Sequence, residues 1–401
     1  MIWDYIVPAV FGLAILIQLV YILFVFTALI RHKDQEEATA SMPGLSIIVA
    51  AWNELENLKE LLPVLDSQDY PDLEVIVVDD RSSDGSYDYL RTNEGNFKNV
   101  TFVHVKALPE HFTAKKYALT MGIKKATKEL VLLTDADCRP ASDQWAKMMV
   151  SQLGEEKDMV FGISPYYKTP GLLNAFIRYE TFQTALQYLS FSKIGAPFMG
   201  VGRNMLYRRE KFWKVNGFTT HLGLLSGDDD LLVNEMATSK NTTICTDTNA
   251  FVWSEPKHTF SDWMIQKRRH LSVGKRYTFK NKVNLGLLWM SFLLSWMAFL
   301  PALLAAPSWF IMPDWLRIPN EMLDPYGWEQ YEPITNWMRI VIGVFIGWQL
   351  LRWLILHLAN RKIGSTVSSG KIPYHDFLYF VYLVVFGFMT LFSNPKKIKW
   401  R

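Results

Sequence analysis

An uncharged apolar segment near the amino terminus constrains the fold of this chain more than any other feature. Residues 6–30 read IVPAVFGLAILIQLVYILFVFTALI and contain no charged side chain. About 20 such residues suffice to cross the hydrocarbon core of a bilayer. The stretch is too long for a signal peptide, and no small-residue cleavage site follows it. We therefore predict a transmembrane helix over residues 5–30.

The carboxy-terminal quarter of the chain is also strongly apolar. Residues 285–312, 340–359 and 377–392 form three long apolar stretches, which predict a transmembrane region over residues 284–393 with three or four helical segments. Arg31, His32 and Lys33 directly follow the first segment, and the positive-inside rule places such residues in the cytoplasm. These features predict a multi-pass protein of the cell (inner) membrane, with its middle part cytoplasmic.

The topology of the carboxy-terminal region stays open at this point. A third full span after the second would place Lys396, Lys397 and Lys399 outside, against the positive-inside rule. Either residues 377–392 are re-entrant or interfacial, or residues 285–312 break at Pro301 into two helices.

Between the apolar ends, residues 43–256 have the pattern of an α/β domain. Short apolar runs alternate there with stretches of helical spacing. The predicted strands are residues 45–51, 73–78, 100–105 and 130–133, and the predicted helices are residues 55–65 and 114–126. Near-continuous Ile, Val and Leu in the strands favours a mainly parallel sheet that is buried on both faces, with its ligand beyond the carboxyl ends of the strands.

Several function classes are disfavoured by the sequence. The first strand is followed by WNE rather than GxGxxG, and GxxxxGK[ST] does not occur, which argues against dinucleotide and P-loop sites. A net charge of +3 gives no signal for nucleic acid. Cys138 and Cys245 lie outside any CxxC or Cys/His cluster, so a disulfide framework and a zinc site are not expected.

Carboxylates follow several of the predicted strands. Asp79 and Asp80 end the second strand, and Asp135 and Asp137 form a DxD pattern after the fourth. A DxD pair on an extended segment can present oxygen ligands to a hard divalent cation that also holds phosphates. Each pattern alone is also typical of a polar turn that caps the next helix.

The sequence GDDD at residues 227–230 is the most unusual acidic feature. Three adjacent carboxylates repel one another unless a cation, a basic partner or water screens them. A structural role alone therefore explains them poorly, although a solvated acidic turn stays an alternative. Further along, residues 257–283 form a basic segment. Most of its cations are expected to face the membrane, while one or two could contact a pyrophosphate.

One apolar stripe has two interpretations. The apolar residues that recur there at helical spacing are Leu172, Phe176, Tyr179, Phe182, Leu186 and Leu189. Such a stripe is usually core packing, and an interfacial helix at the bilayer surface is the alternative.

The ordered motifs resemble one known family. SIIVAAWNE, VIVVDDRSSDGS, TAKKYALTMG, TDADC, GVGRNM, GDDDLL and QKRRH follow one another over about 230 residues, and this series resembles glycosyltransferase family 2. The resemblance implies a Rossmann-like GT-A fold, inverting transfer from a nucleotide-activated sugar, and, given the flanking spans, the integral membrane branch of the family. That branch includes ceramide glucosyltransferase-like and polysaccharide synthase-like members.

The resemblance also assigns roles to residues at matching positions. Residues on the donor side would bind the nucleotide-sugar: Asn53, Glu54, Asp79, Asp80, Lys115, Asp135, Gln266 and Arg269. Asp135 and Asp137 would bind Mg²⁺ or Mn²⁺. In the GDDD stretch Asp229 matches the catalytic base and Asp228 the preceding acidic position, while a one-residue shift would make Asp230 the base. Residues 200–204 match a segment that lines the acceptor side.

One position departs from the family pattern. The family has QxxRW where this chain has Gln266, Arg269 and His270. In processive synthases that Trp packs near the acceptor sugar, so the change disfavours polymerisation. We therefore expect transfer from a nucleotide-sugar, with a lean to UDP, to a membrane lipid or lipid-linked acceptor. A processive polysaccharide synthase, a non-catalytic membrane scaffold and a metal-dependent lipid phosphotransferase are the alternatives.

Overall fold

The computed structural model describes residues 2–35, 42–154, 156–305 and 332–392. The strands are β1 Leu45–Ala51, β2 Leu73–Asp80, β3 Val100–Val105, β4 Leu130–Asp135, β5 Cys138–Pro140, β6 Met159–Phe161, β7 Met205–Arg208, β8 Thr242–Ile244 and β9 Val252–Ser254. Seven of them form one sheet in the order β3-β2-β1-β4-β7-β6-β8, and β5 pairs with β9. β3, β2, β1 and β4 are mutually parallel, and β7 runs antiparallel to both of its neighbours.

Long helices lie at both ends of the chain. The first helix, α1, covers Trp3–Ile30 and contains a π-helical stretch at Tyr21–Phe26. The helices of the α/β domain are α2 Leu55–Asp66, α3 Ser86–Thr92, α4 Ala114–Lys125, α5 Trp145–Ser151, α6 Leu172–Lys193, α7 Arg209–Lys214 and α8 Asp230–Met236. They are followed by α9 Phe260–Val273, α10 Phe279–Met297, α11 Phe299–Leu304, α12 Glu332–Lys362 and α13 Ile372–Phe392.

The sheet is buried on both faces, as the strand composition predicts. Alternate side chains of β1 contribute to different cores, because successive residues of a strand point to opposite faces. Ile48 belongs to the core that extends to the long helices, and Ile47 belongs to the core under α2 and α5. The strand predictions are confirmed, although β2 and β4 each continue two residues further, to Asp80 and Asp135.

α4 lies unusually close to this sheet. A Cβ atom added at Gly122 would stand 2.6 Å from Ile48 Cγ2. Only glycine therefore allows this approach, which fixes the position of the first turn of α4 above the carboxyl ends of the strands.

The apolar stripe on α6 belongs to the core. Tyr179, Phe182, Leu186 and Leu189 are buried, and so are the polar Asn174 and Gln183 on other faces of the helix. A helix that is covered by protein on most sides cannot lie flat on a bilayer surface. The burial of these residues supports the core interpretation for the middle and end of the helix, whereas Leu172 at its start is 76% exposed.

Two helices in the described ranges are long and apolar enough to cross a membrane, Trp3–Ile30 and Asn336–Lys362. The predicted stretch 285–312 divides into α10 and α11, and residues 306–312 lie outside the described ranges. The break falls at Ala298 rather than at Pro301, which lies inside α11. Pro301 has no N–H to donate to the carbonyl of Met297, so the helix is interrupted before the proline.

The apolar helices are attached to one another and to the α/β domain by buried polar contacts. Gln18 of α1 donates hydrogen bonds to the Leu288 carbonyl at 2.9 Å and to Ser291 Oγ at 2.8 Å, both on α10. After α1, the Asp34 carboxylate accepts the N–H of Thr246 at 2.8 Å. These contacts fix the apolar helices relative to the sheet.

Candidate functional site

The carboxyl ends of β1, β2 and β4 meet at one edge of the sheet. The strand register places Asp79 beside Ala51, and Asp135 beside Ala50. The acidic residues that follow separate strands in the sequence are thereby brought to one edge, which is where parallel α/β sheets bind ligands.

Asn53 and Glu54 form the turn after β1. Asn53 has a positive φ of 56°, a conformation that asparagine tolerates better than most residues. Its side-chain oxygen accepts the N–H of Ser83 at 2.8 Å, which joins this turn to the loop after β2. Burial, and then the nearby Asp137 and Asp135 carboxylates, raise the pKa of Glu54 above its ordinary value. Glu54 therefore lies near the DxD pair, and its Oε2 accepts a hydrogen bond from Asn57 Nδ2 at 2.6 Å.

Asp79 and Asp80 differ in their partners. Asp79 is fully buried and lies 2.8 Å from His104 Nδ1. Asp80 forms an ion pair with Arg81, whose Nε lies 2.7 Å from Asp80 Oδ1. Both carboxylates are thus held in fixed positions below the predicted nucleotide site.

The DxD pair has the donor set of a divalent cation site. Ligand atoms of Asp135, Asp137 and Cys138 all lie within 4.8 Å of one another. The Cys138 Sγ hydrogen donates to Asp137 Oδ1 at 3.3 Å, and burial, with Asp135 next, raises the pKa of this thiol well above its ordinary value. A protonated thiol does not bind a hard cation, whereas carboxylate oxygens suit Mg²⁺ or Mn²⁺. The two aspartates therefore fit the predicted metal, and the cysteine does not.

Lys115 connects the two acidic clusters. Its Nζ lies 2.9 Å from Asp135 Oδ1 and 3.1 Å from Asp228 Oδ2. Burial opposes the charge, but the two carboxylates raise the pKa of Lys115 above its ordinary value. The DxD and GDDD motifs consequently belong to one site.

The three adjacent aspartates have three different partners. Asp228 pairs with Lys115. Asp229 caps α8 by accepting the Asp230 N–H at 2.8 Å, and its other oxygen accepts the Gly202 N–H at 3.1 Å. Asp230 accepts the Tyr277 hydroxyl at 2.6 Å. Gly227 precedes them with a φ of 89°, which directs the chain into this turn.

The same partners separate the acidities of the three carboxyls. Burial disfavours the charge of Asp228, yet Lys115 lowers its pKa below the ordinary value. Burial and then the Asp228 charge raise the pKa of Asp229, and burial with Asp229 raises that of Asp230 further. Asp229 is therefore more basic than its neighbour Asp228.

Lys116 holds the loop that leads into the GDDD turn, a role that the sequence analysis missed. Its buried Nζ donates to the carbonyls of His221 at 2.8 Å, Leu224 at 2.7 Å and Ser226 at 3.0 Å. Burial lowers the pKa of Lys116 to about 8. The sequence shows only two adjacent lysines on one helical turn. It does not indicate that Lys115 contacts carboxylates while Lys116 contacts backbone carbonyls.

Two of the predicted donor residues, Gln266 and Arg269, lie on α9. Gln266 Nε2 donates to Tyr166 Oη at 3.3 Å, and Arg269 Nη2 lies 3.4 Å from His270 Nε2. Burial and then Arg269 lower the pKa of His270 well below its ordinary value. His270 is therefore an uncharged side chain at this position.

A cavity of about 400 Å³ extends from the aspartates into the apolar helices. Its polar lining includes Ser226, Asp229 and Asp230. Its apolar lining includes side chains of α10 and α13, among them Leu285, Met290, Leu293, Leu383 and Phe386. Charged side chains that the sequence analysis did not single out also line it, namely Arg178, Glu180 and Arg203.

Arg203 belongs to the segment predicted to line the acceptor side. Its Nε donates to Ser164 Oγ at 2.5 Å, and its guanidinium lies over the Tyr166 ring, 5.1 Å from the centroid. Gly202 beside it supplies the N–H that Asp229 accepts. The segment at residues 200–204 thus contacts the base candidate through Gly202 and lines the cavity through Val201 and Arg203.

Comparison with known proteins assigns the first part of the α/β domain to a family. The family model "Glycosyl transferase family 2" matches residues 46–215. These residues form a domain of glycosyltransferase family 2, and the resemblance of the motifs is confirmed.

Two relatives with known names show how much of the chain is similar in sequence. Glycosyltransferase AglE of Haloferax volcanii is 28% identical over 194 residues, which are 48% of this chain and 60% of that protein. Poly-beta-1,6-N-acetyl-D-glucosamine synthase of Staphylococcus epidermidis is 30% identical over 113 residues, 27% of this chain and 24% of that protein. The chain therefore matches less than two thirds of either relative.

A solved structure confirms the fold. The mannosyltransferase PcManGT from Pyrobaculum calidifontis, in complex with GDP-Man and Mn²⁺, superimposes with a TM-score of 0.57 at 20% identity, covering 90% of this chain and 98% of that one. Together with the mostly parallel sheet, this likeness confirms the predicted GT-A fold.

Proposed function

We propose that this protein is a membrane-bound inverting glycosyltransferase that transfers a sugar from a nucleotide-sugar to a membrane lipid or lipid-linked acceptor. One observation carries the proposal. Lys115 links the DxD pair to the GDDD turn, and the cavity that Asp229 lines is also lined by side chains of the apolar helices. A donor site, a base and an apolar acceptor site are thus contiguous.

The donor side is built from the strand ends. Asn53, Glu54, Asp79 and Asp80 would hold the nucleoside, as the family resemblance implies. Asp135 and Asp137 would hold Mg²⁺ or Mn²⁺, which neutralises negative charge on a departing diphosphate when it is bound. The solved mannosyltransferase with GDP-Man and Mn²⁺ supports a donor of this class.

Asp229 is the base that the contacts favour. Asp228 is committed to Lys115, and Asp230 accepts the Tyr277 hydroxyl. Each Asp229 oxygen accepts one backbone N–H, which orients the carboxylate while leaving lone pairs for an acceptor proton. The acceptor hydroxyl would lose its proton to Asp229 as its oxygen bonds to the anomeric carbon and the diphosphate leaves. Positioned bases of this kind contribute about 10²- to 10⁴-fold.

The membrane placement follows from the helices that enclose the cavity. α1 and α12 have the length and composition of spans. Arg31 and Lys33 follow α1, which would place the GT-A domain in the cytoplasm of a multi-pass protein of the cell membrane. The catalytic end of the cavity would then lie at the inner surface of the bilayer, where lipid head groups are found.

A processive polysaccharide synthase is the second candidate, because one relative is named a poly-beta-1,6-N-acetyl-D-glucosamine synthase. The apolar lining of the cavity and His270 at the family's Trp position favour a lipid over a growing sugar chain. A non-catalytic scaffold is disfavoured because the acidic clusters share one site.

The test uses the full-length protein in detergent. It is incubated with Mn²⁺, a panel of labelled UDP- and GDP-sugars and a total lipid extract, and the products are analysed by mass spectrometry. We expect one sugar donor to label the organic phase with a lipid that carries a single added sugar. Label confined to a long water-soluble polymer would identify a synthase. Absence of metal-dependent nucleotide release with every donor would identify a scaffold.

A further inference from the structure

The GDDD turn packs against the end of α9 as well as against the donor side of the site. A Cβ atom added at Gly227 would stand 3.1 Å from Cγ1 of Val273, the last residue of α9. Glycine, which has no Cβ atom, allows this close approach. The turn that contains the base candidate is therefore in direct contact with the segment that leads into α10.

Tyr277, two residues before the start of α10, makes a polar contact with the turn. Its hydroxyl donates to Asp230 Oδ2 at 2.6 Å, and both side chains are buried. Asp230 begins α8 and directly follows the base candidate. Loss of this bond would leave a buried carboxyl oxygen without its partner, so the bond holds the start of α8 against Tyr277.

Asn281, on the first turn of α10, makes a second polar contact. Its Nδ2 donates to Asn234 Oδ1 at 2.8 Å. Asn234 lies one turn after Asp230 on α8, and its own Nδ2 donates to the Asp230 carbonyl at 2.7 Å and to the Phe198 carbonyl at 2.6 Å. This asparagine pair thus joins α10 to the start of α8 and to the chain just before residues 200–204.

The orientation of the base depends on the same two parts of the chain. The Asp229 carboxylate accepts the N–H groups of Asp230 and Gly202. Tyr277 holds the first of these residues through its side chain, and the asparagine pair holds α8 to the chain that leads to the second. A displacement of about 1 Å at a reacting group can lower a rate about 100-fold. Small changes at the start of α10 should therefore reach the base.

The donor side does not depend on these contacts. Lys115 on α4 bonds to the DxD pair through Asp135. The side-chain hydrogen bonds of Tyr277 and Asn281 end on α8 and on the Pro197 carbonyl. Substitution of either residue should therefore separate transfer from donor binding.

We infer that Tyr277 and Asn281 are positioning residues, through which the start of the apolar helix α10 sets the orientation of Asp229 for proton transfer. The inference rests on the proposed function, because it concerns the proposed base. It extends the catalytic unit to a helix outside residues 46–215, which the family model matches. Tyr277 also lines the cavity, whereas Asn281 is not among its described lining residues. The second residue therefore separates a role in base positioning from contact with the acceptor.

The test measures acceptor-dependent release of nucleoside diphosphate by the full-length protein, with Mn²⁺, saturating sugar donor and increasing amounts of lipid extract. Tyr277→Phe removes one hydroxyl and keeps the ring. We expect kcat to fall at least about tenfold, because the base is displaced. The donor affinity, measured by calorimetry, and the amount of lipid extract that half-saturates the rate should stay unchanged. Asn281→Ala should lower kcat in the same way, again with donor affinity preserved.

Tyr21→Phe is the matched control. The Tyr21 hydroxyl is also a donor to α10, because it bonds to the Asn284 carbonyl at 2.7 Å, but it does not contact the GDDD turn. The substitution removes a hydroxyl and one hydrogen bond, as Tyr277→Phe does. We expect its kcat to equal that of the wild type.

A wild-type kcat in Tyr277→Phe overturns the inference, and so does a loss that appears only as weaker donor or acceptor binding or that Tyr21→Phe shares. If Tyr277→Phe does not fold, Asn281→Ala decides by the same criteria. Because nucleotide release reports transfer to any acceptor, the result is the same test whether lipid or polymer is labelled. Absence of acceptor-dependent release by the wild-type protein would overturn the proposed function itself, and with it the base that these residues position.

Discussion

Lys115 on the first turn of α4 forms a 3.1 Å ion pair with Asp228, which directly precedes the base candidate. The same ammonium contacts Asp135 of the DxD pair. Because Asp228 is paired with Lys115, it is not available to accept a proton from the acceptor. Lys115 also connects the DxD pair, where the metal would bind, to the GDDD turn, where the base would contact the acceptor.

The first prediction concerns pH. Burial and then the Asp228 charge raise the pKa of Asp229, so Asp228→Asn removes a like charge and should lower that pKa. Because a base must be deprotonated to act, the acid limb of the kcat profile should move to lower pH, even if the maximal rate falls. The measurement is the rate of transfer between pH 4.5 and about 8. An acid limb that stays in place or moves upward would exclude Asp229 as the titrating group.

The second prediction concerns the metal. Asp137→Asn should raise the Mn²⁺ concentration needed for nucleotide binding by at least about tenfold, because a charged oxygen ligand is lost. Cys138→Ala should leave it unchanged, since the thiol is buried and protonated. Calorimetric titration of the nucleotide with and without Mn²⁺ measures both. Equal effects of the two substitutions would show that the thiol is a ligand.

The third prediction concerns Lys116. Lys116→Met leaves the carbonyls of His221, Leu224 and Ser226 buried without this donor, and an unpaired buried acceptor costs about 1–3 kcal/mol. The Tm should fall, and kcat should fall more than donor affinity, because this loop positions the GDDD turn. Lys116→Arg, which can still donate, should recover part of both. A normal kcat in Lys116→Met would mean that the loop is positioned by other contacts.

The fourth prediction concerns access to the cavity. Gly286 lines it, and a Cβ atom there would meet nothing within 4 Å. Gly286→Leu should therefore fill the cavity without a clash and reduce lipid glycosylation at least about tenfold, with nucleotide binding preserved. Gly343→Leu is the control, because Gly343 is equally open and lies on α12. Unchanged lipid transfer in Gly286→Leu would place the acceptor elsewhere.

Much of the donor side could be predicted from the sequence, because strands and their ends have strong local signals. β1 to β4 follow from apolar runs, and the parallel arrangement brings Asp79 and Asp135 to one edge. The motif order then predicted the family and the GT-A fold. None of this required contacts between distant parts of the chain.

The acceptor side could not be predicted in the same way. Lys116 and Arg203 acquire their roles from loops far away in the sequence, and the ion pair between Lys267 and Glu180 joins two helices that are not adjacent in the chain. The stripe on α6 had the same periodicity in either environment, so only the packed structure could decide between core and interface. The sequence pattern indicates which face of a helix is apolar, but it does not indicate whether protein or lipid covers that face.

The most direct test of the account is Asp229→Asn in the full-length protein. The amide keeps the shape of the side chain and loses the basicity, while Lys115, Asp135 and Asp137 stay in place. We predict that nucleotide-sugar affinity in the presence of Mn²⁺ is nearly unchanged and that transfer to lipid falls by at least about 100-fold. Near-normal turnover in this variant would contradict the assignment of the base and, with it, the proposed site.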